Sequence, residues 1–246
     1  MTAKHAMNAA VETGGQGGRT AGLPTHHLSD ELLLDYAAGA TDEAVGILIA
    51  AHLTLCPSCR ARADHLDAVG GQMLAQMAPS ALADDALDRL MARLDDPTDS
   101  GETARAPDRL ETAGKRPAES AVLPRVLQRY IGTDAADIPW VPLGLGIDHF
   151  ELPVEGTARA IMLRVPGGRA VPQHTHEGNE YVMVLQGAFQ DAHGRFARGD
   201  VEIADGTVDH RPVADMGEDC ICLAVTDGPL RLTSLVGRAL NRFVKF

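Results

Sequence analysis

The hydrophobic period of this 246-residue chain changes once, across the stretch Asp95–Ser120, and that change dictates a two-part fold. Before it, apolar residues recur at helical spacing. Ser29 predicts the cap of a helix ending at Gly39, Thr41-Asp42-Glu43 opens a second, and Cys56-Pro57 opens a third that runs to about Val69 before Gly70-Gly71. A fourth, amphipathic helix is expected over Ala81–Leu94, with Leu82, Leu87, Leu90, Met91 and Leu94 opposite a charged face. The stretch Asp95–Ser120 is Pro, Gly, Asp, Glu, Thr and Ser with a single leucine and no aromatic residue, the composition of a linker. After it the period becomes two: Arg159–Val165, Glu180–Leu185, Val201–Ile203 and Cys220–Val225 are short β-rich runs separated by glycine turns. Such runs predict an antiparallel sandwich or barrel. The expected organisation is an extension (1–25), a helical bundle (26–95), a linker (96–120), a β domain (121–236) and a tail (237–246).

Charge and cysteine usage narrow the function classes. Lys and Arg number 22 against 34 Asp and Glu, a net charge of −12. Residues 1–96 alone carry 6 − 13 = −7. Phosphate would be repelled, so direct binding to nucleic acid or to an anionic membrane is excluded, and a basic partner is favoured. Four cysteines in two close pairs do not make a secreted disulfide framework, residues 1–25 lack the apolar core of a signal peptide, and the longest apolar run, Ala44–Leu53, is too short to span a bilayer. These features predict a cytoplasmic protein.

The helical part carries His52-x3-Cys56-x2-Cys59, an imidazole and two thiols at spacings that let all three reach one ion. His52 falls on the last turn of the second helix. Cys59 falls in the first turn of the third, where free N–H groups favour a thiolate. Tetrahedral zinc needs a fourth ligand, and His26 or His27 upstream are the chemically suitable candidates. The competing reading makes His52 a core histidine, since Val45, Leu48, Ile49 and His52 form one apolar stripe.

The β part carries Gly168-x5-His174-x-His176-x3-Glu180-x6-Gly187, with His210 after a Gly199-Asp200 turn. On a strand His174 and His176 face the same way. Three imidazoles and a carboxylate converging inside a small barrel suit a first-row transition metal. The pattern resembles the cupin family, which implies a cupin β-barrel or jelly roll; Asp205 stands where that family usually has a proline. Cys220 and Cys222 share a strand face and read as buried small hydrophobes in preference to a redox relay.

Taken together, the two motifs resemble the ChrR-type anti-sigma factors over about residues 26–236, including His27-Leu28-Ser29-Asp30 and Tyr36-Ala37-Ala38-Gly39. The resemblance implies that His27, His52, Cys56 and Cys59 hold zinc, and that His174, His176, Glu180 and His210 hold zinc or another first-row divalent metal. It further implies a regulator, not an enzyme, that sequesters an extracytoplasmic-function sigma factor and releases it under singlet-oxygen or organic-peroxide stress sensed by the cupin. The competing expectation is a metal-dependent cupin dioxygenase or isomerase; against it, the sequence shows no obvious general acid or base besides the ligands, His149 and Tyr181 being the residues left open for that role.

Overall fold

The structure, a computed structural model, describes residues 22–94 and 121–233. The expected linker, the C-terminal tail and most of the N-terminal extension lie outside the described residues.

The helices begin where local chemistry places them. Helix α1 (Asp30–Ala37) is capped by Ser29, whose hydroxyl accepts from Leu32 N–H at 3.2 Å. Helix α2 (Glu43–Leu55) is capped by Asp42. Helix α3 (Pro57–Ala75) has Cys56 as its cap, with the Cys59 N–H directed at Cys56 Sγ, and Pro57 in the first turn. It continues through Gly70-Gly71 instead of stopping at Val69. Each glycine costs ~1 kcal/mol relative to alanine, but neither is in the left-handed region and the residues beyond, Gln72 to Ala75, are good helix formers. Helix α4 (Ala86–Leu94) starts five residues later than the sequence suggests, because Asp84 and Asp85 form a turn closed by Ala86 N–H to Ala83 O.

Helix α5 (Arg125–Ile131), ended by Gly132 at φ +91°, leads into the β domain. Its strands are β1 (Val141–Gly144), β2 (Ile147–Glu151), β3 (Arg159–Val165), β4 (His174–His176), β5 (Glu180–Gln186), β6 (Ala188–Gln190), β7 (Arg195–Ala197), β8 (Val201–Ala204), β9 (Val213–Ala214), β10 (Cys220–Thr226) and β11 (Leu230–Leu232). Six form an antiparallel sheet in the order β1-β2-β3-β10-β5-β8; β11-β4 and β7-β6-β9 form two smaller sheets. The result is the helical bundle and antiparallel barrel that the two hydrophobic periods predict, in the cupin-like form that the motif resemblance implies.

The central strands β3, β10 and β5 of the large sheet are covered on both faces. Ile161, Leu163 and Val165 of β3, Val182 of β5, and Cys220, Cys222 and Ala224 of β10 line a cavity of about 350 Å³ in the barrel. The alternate residues Ala160, Met162, Met183, Leu185, Leu223 and Val225 point outward into a second core shared with Leu33, Leu48 and Ile49 of the helices. This explains why α2 is apolar all round: seven of its residues, including Leu48 and Ile49 at 0% exposure, are buried between α1, α3 and the sheet. Burying each large aliphatic side chain contributes ~1.5–3 kcal/mol. Polar contacts frame this interface. Asp42 accepts from Thr157 N–H at 3.0 Å, and a Cβ on Gly156 would collide with the Asp42 carboxylate. Tyr130 donates to Pro153 O at 2.8 Å and to Glu43 at 3.1 Å. The helices therefore rest on the barrel and share its core, a contact that the linker composition does not announce.

Two candidate metal centres

The first cluster forms where α2 ends and α3 begins. His27, His52, Cys56 and Cys59 each present one ligand atom, and all four atoms lie within 4.8 Å of one another. Zinc bonds of ~2.3 Å to sulfur and ~2.0 Å to nitrogen imply tetrahedral edges of ~3.5 Å. His27 Nδ1 lies 3.3 Å from Cys56 Sγ and 3.7 Å from Cys59 Sγ. His52 is fully buried, its Nδ1 is 2.8 Å from Gly199 O, and its Nε2 has no hydrogen-bond partner. Burial lowers the pKa of His52, which keeps the ring neutral and its lone pair available. Burial also raises that of Cys59 above the ordinary thiol value, and Arg62, 3.7 Å from its sulfur, opposes this only in part. An orphaned imidazole nitrogen and a buried thiol pair are what a cation in this position would satisfy. His26, the other upstream candidate, turns away: its ring packs on Phe196 at 4.3 Å and its Nδ1 is 3.4 Å from Asp200.

The second cluster lies inside the barrel. Strand β4 delivers His174 and His176, the start of β5 delivers Glu180, and an isolated bridge between His174 and His210 brings in the fourth residue. All four are buried, and their ligand atoms also lie within 4.8 Å of one another. His174 Nε2 is 3.1 Å from His210 Nε2, and Glu180 Oε2 is 3.6 Å from the latter. His176 Nε2 is 3.0 Å from Glu180 Oε2 but off the axis of a hydrogen bond, which leaves it orphaned. Each outer nitrogen is occupied: His174 Nδ1 by Pro172 O at 2.7 Å, His176 Nδ1 by Asp205 O at 3.4 Å, and His210 Nδ1 by Asp191 and Glu202 at 3.0 and 3.1 Å. Outer partners of this kind orient metal-ligating histidines.

Electrostatics in the barrel follow from burial and pairing. Burial acts to raise the Glu180 pKa, but three imidazoles outweigh it and hold the carboxyl well below the usual carboxylate range. For His210 burial is again opposed, here by Glu180 and Glu202, and the imidazole is pushed up to about 10. A metal entering this site would displace that proton. Asp191 and Glu202 were not among the residues picked out from the sequence. The signal for Glu202 was present, since it sits between Val201 and Ile203 on a strand and alternation turns it inward. Asp191, His193, Glu202 and His210 form a third group that shares His210.

The remaining candidates take ordinary places. Tyr181 lies on the face of β5 opposite Glu180, against the helical core. His149 sits at the cavity wall with Nδ1 3.0 Å from Val141 O. The Cys220 and Cys222 thiols are free, buried and 3.5 Å apart. Among the described residues no single helix is long and apolar enough to cross a membrane; α2 and α3 pass on length and composition only as a pair bent by 118°.

A helical two-histidine, two-cysteine module resting on a three-histidine, one-glutamate cupin barrel defines a class of protein with paired metal-type centres. Residues 128–231 match the ChrR cupin-like domain family. The chain is 44% identical over 220 residues, 89% of its length and 98% of the relative's, to the anti-sigma-E factor ChrR of Cereibacter sphaeroides. It is also similar, with 47% identity and a TM-score of 0.68, to a chain in the crystal structure of Rhodobacter sphaeroides SigE in complex with the anti-sigma ChrR, covering 82% of this chain and 98% of that one. The chain belongs to the ChrR family of anti-sigma factors.

Proposed function

We propose that this protein sequesters an extracytoplasmic-function sigma factor in the cytoplasm and frees it under oxidative stress, of the singlet-oxygen or organic-peroxide type, sensed by the barrel. The observation that carries the reading is an apolar surface in the helical module that none of the described residues covers. Leu82, Leu87, Leu90 and Leu94 are 81, 67, 55 and 72% exposed, and Met73, Leu74 and Met77 at the end of α3 add to them. An amphipathic helix with its leucines in water suits docking into another protein's groove. The acidic charge of residues 1–96 suits a partner that is basic where it meets promoter DNA, and the ChrR relative has been crystallised with SigE. In this reading His27, His52, Cys56 and Cys59 hold a structural zinc, and His174, His176, Glu180 and His210 hold zinc or another first-row divalent metal.

The apolar cavity beside His174 and Glu180 favours a second reading, a metal-dependent cupin enzyme. One preparation separates the two. The full chain, mixed with each alternative sigma factor of its cell, is expected to give a stable one-to-one complex with one of them. A folded, metal-loaded chain that binds none of them and consumes oxygen would overturn the anti-sigma reading.

A further inference from the structure

Four consecutive residues, Gly199 to Glu202, touch both candidate metal centres. Gly199 offers its carbonyl to His52 Nδ1 at 2.8 Å, the contact that turns His52 Nε2 toward the thiols. The approach is close: Gly199 sits at φ +92°, and a Cβ there would stand 2.6 Å from Pro24 Cγ. Asp200, whose side chain is 5% exposed, accepts from Thr25 N–H at 2.6 Å and His26 N–H at 2.9 Å. Its other oxygen takes Ala197 N–H at 2.8 Å. Val201 N–H donates to His26 O at 3.3 Å, so the backbone that delivers His27 is held on both sides of residue 26. Glu202 turns the opposite way, as strand alternation requires, and grips His210 Nδ1 at 3.1 Å from inside the barrel.

We propose that Gly199–Glu202 couples the two centres, so that a metal held by His174, His176, Glu180 and His210 tightens metal binding at His27, His52, Cys56 and Cys59. The inference rests on the reading that both clusters hold metals, and it gives the release step of the proposed function a route. Ligation at His210 Nε2 holds the ring, the ring holds Glu202, and Glu202 holds the start of β8. The start of β8 in turn sets the ring of His52 and the backbone beside His27. The outer nitrogens of His174 and His176 bond to Pro172 and Asp205, outside Gly199–Glu202, so His210 is the ligand that carries the coupling. Binding linkage makes the effect reciprocal. Outer hydrogen-bond partners of metal-ligating histidines usually change metal affinity by ~10–100-fold, and an effect of about tenfold is expected here.

The test uses the full-length protein loaded with cobalt, whose thiolate charge-transfer absorption reports the Cys56/Cys59 centre alone. Loss of that band to a chelator is timed for the unmodified protein, Glu180→Gln, Asp200→Ala, their combination, and Asp200→Asn. Glu180→Gln empties the barrel centre and is expected to speed loss of the band about tenfold. Asp200→Ala should do the same, and the combination should be no faster than Asp200→Ala alone, the signature of one shared route. Asp200→Asn, which keeps an oxygen for Thr25 and His26, should restore most of the slow rate and so exclude a general folding defect. An unchanged rate in Glu180→Gln with the barrel metal gone, or rates that multiply in the combination, would overturn the coupling. Sigma-factor co-elution from the same samples keeps the two claims apart. Coupled rates with the sigma factor still bound defeat the release reading alone, and release at an unchanged rate defeats the coupling alone.

Discussion

The two clusters use the same kind of chemistry in opposite settings. The barrel cluster is built on β4, the start of β5 and the bridge that brings in His210, and all four of its residues are buried. The helical cluster joins three segments, has the exposed His27 as one member, and borrows a hydrogen bond from another part of the chain to orient His52. A barrel keeps its shape through strand pairing, so a metal held there could come and go without unfolding it. A junction of helix ends has no ladder of its own, so a metal held there would be structural.

The most severe disruption should come from Cys56→Ala. Structural zinc contributes an apparent ~10–16 kcal/mol in small zinc domains, and without it α1 and α3 are expected to lose protection in amide hydrogen exchange. Helix α2 should keep its protection, because Ile49 and Leu48 are buried against the sheet; equal loss over α1, α2 and α3 would show that the shared core adds nothing. Glu180→Gln is expected to remove the barrel metal, weakening its affinity by at least ~100-fold, while thermal unfolding of the barrel stays cooperative. Collapse of the β strands in that variant would erase the contrast between a structural and a dispensable metal.

Leu90→Glu should leave both metals in place and weaken sigma-factor binding by the ~2–4 kcal/mol typical of an interface anchor, measured by titration calorimetry. Loss of metal in this variant would mean that α4 belongs to the first core after all. The mildest effect belongs to Asp42→Ala, which removes the cap of α2 and a hydrogen bond to Thr157. It should cost ~1 kcal/mol, or about 2–4 °C in Tm for a protein of this size, with both metals retained. A larger fall would show that this polar contact, more than apolar burial, holds the helices on the barrel.

Much of this was legible from residue order. Local rules place Ser29, Asp42 and Pro57 at helix starts and predict Arg159–Val165 as a strand to the residue, because capping and alternation act over a few positions. The spacing of His52, Cys56 and Cys59, and of His174, His176 and Glu180, likewise survives folding unchanged, since each set lies on one or two adjacent elements. Other facts were written in the sequence but ambiguous there. The unbroken apolar run Cys220–Val225 and the all-round apolarity of α2 each say that something covers a second face, without saying that they cover each other.

What tertiary structure alone decided concerns groups far apart in the chain. The choice between His26 and His27 depends on Asp200 and Phe196, the tautomer of His52 on the carbonyl of Gly199, and the charge of His210 on Glu180 and Glu202. None of these pairs has a spacing rule, because loop closure brings them together at a cost that varies little with separation. Residue order therefore determined which side chains can bind a metal. The docking of the helices on the sheet decided which of them meet, and through which backbone atoms the two centres touch.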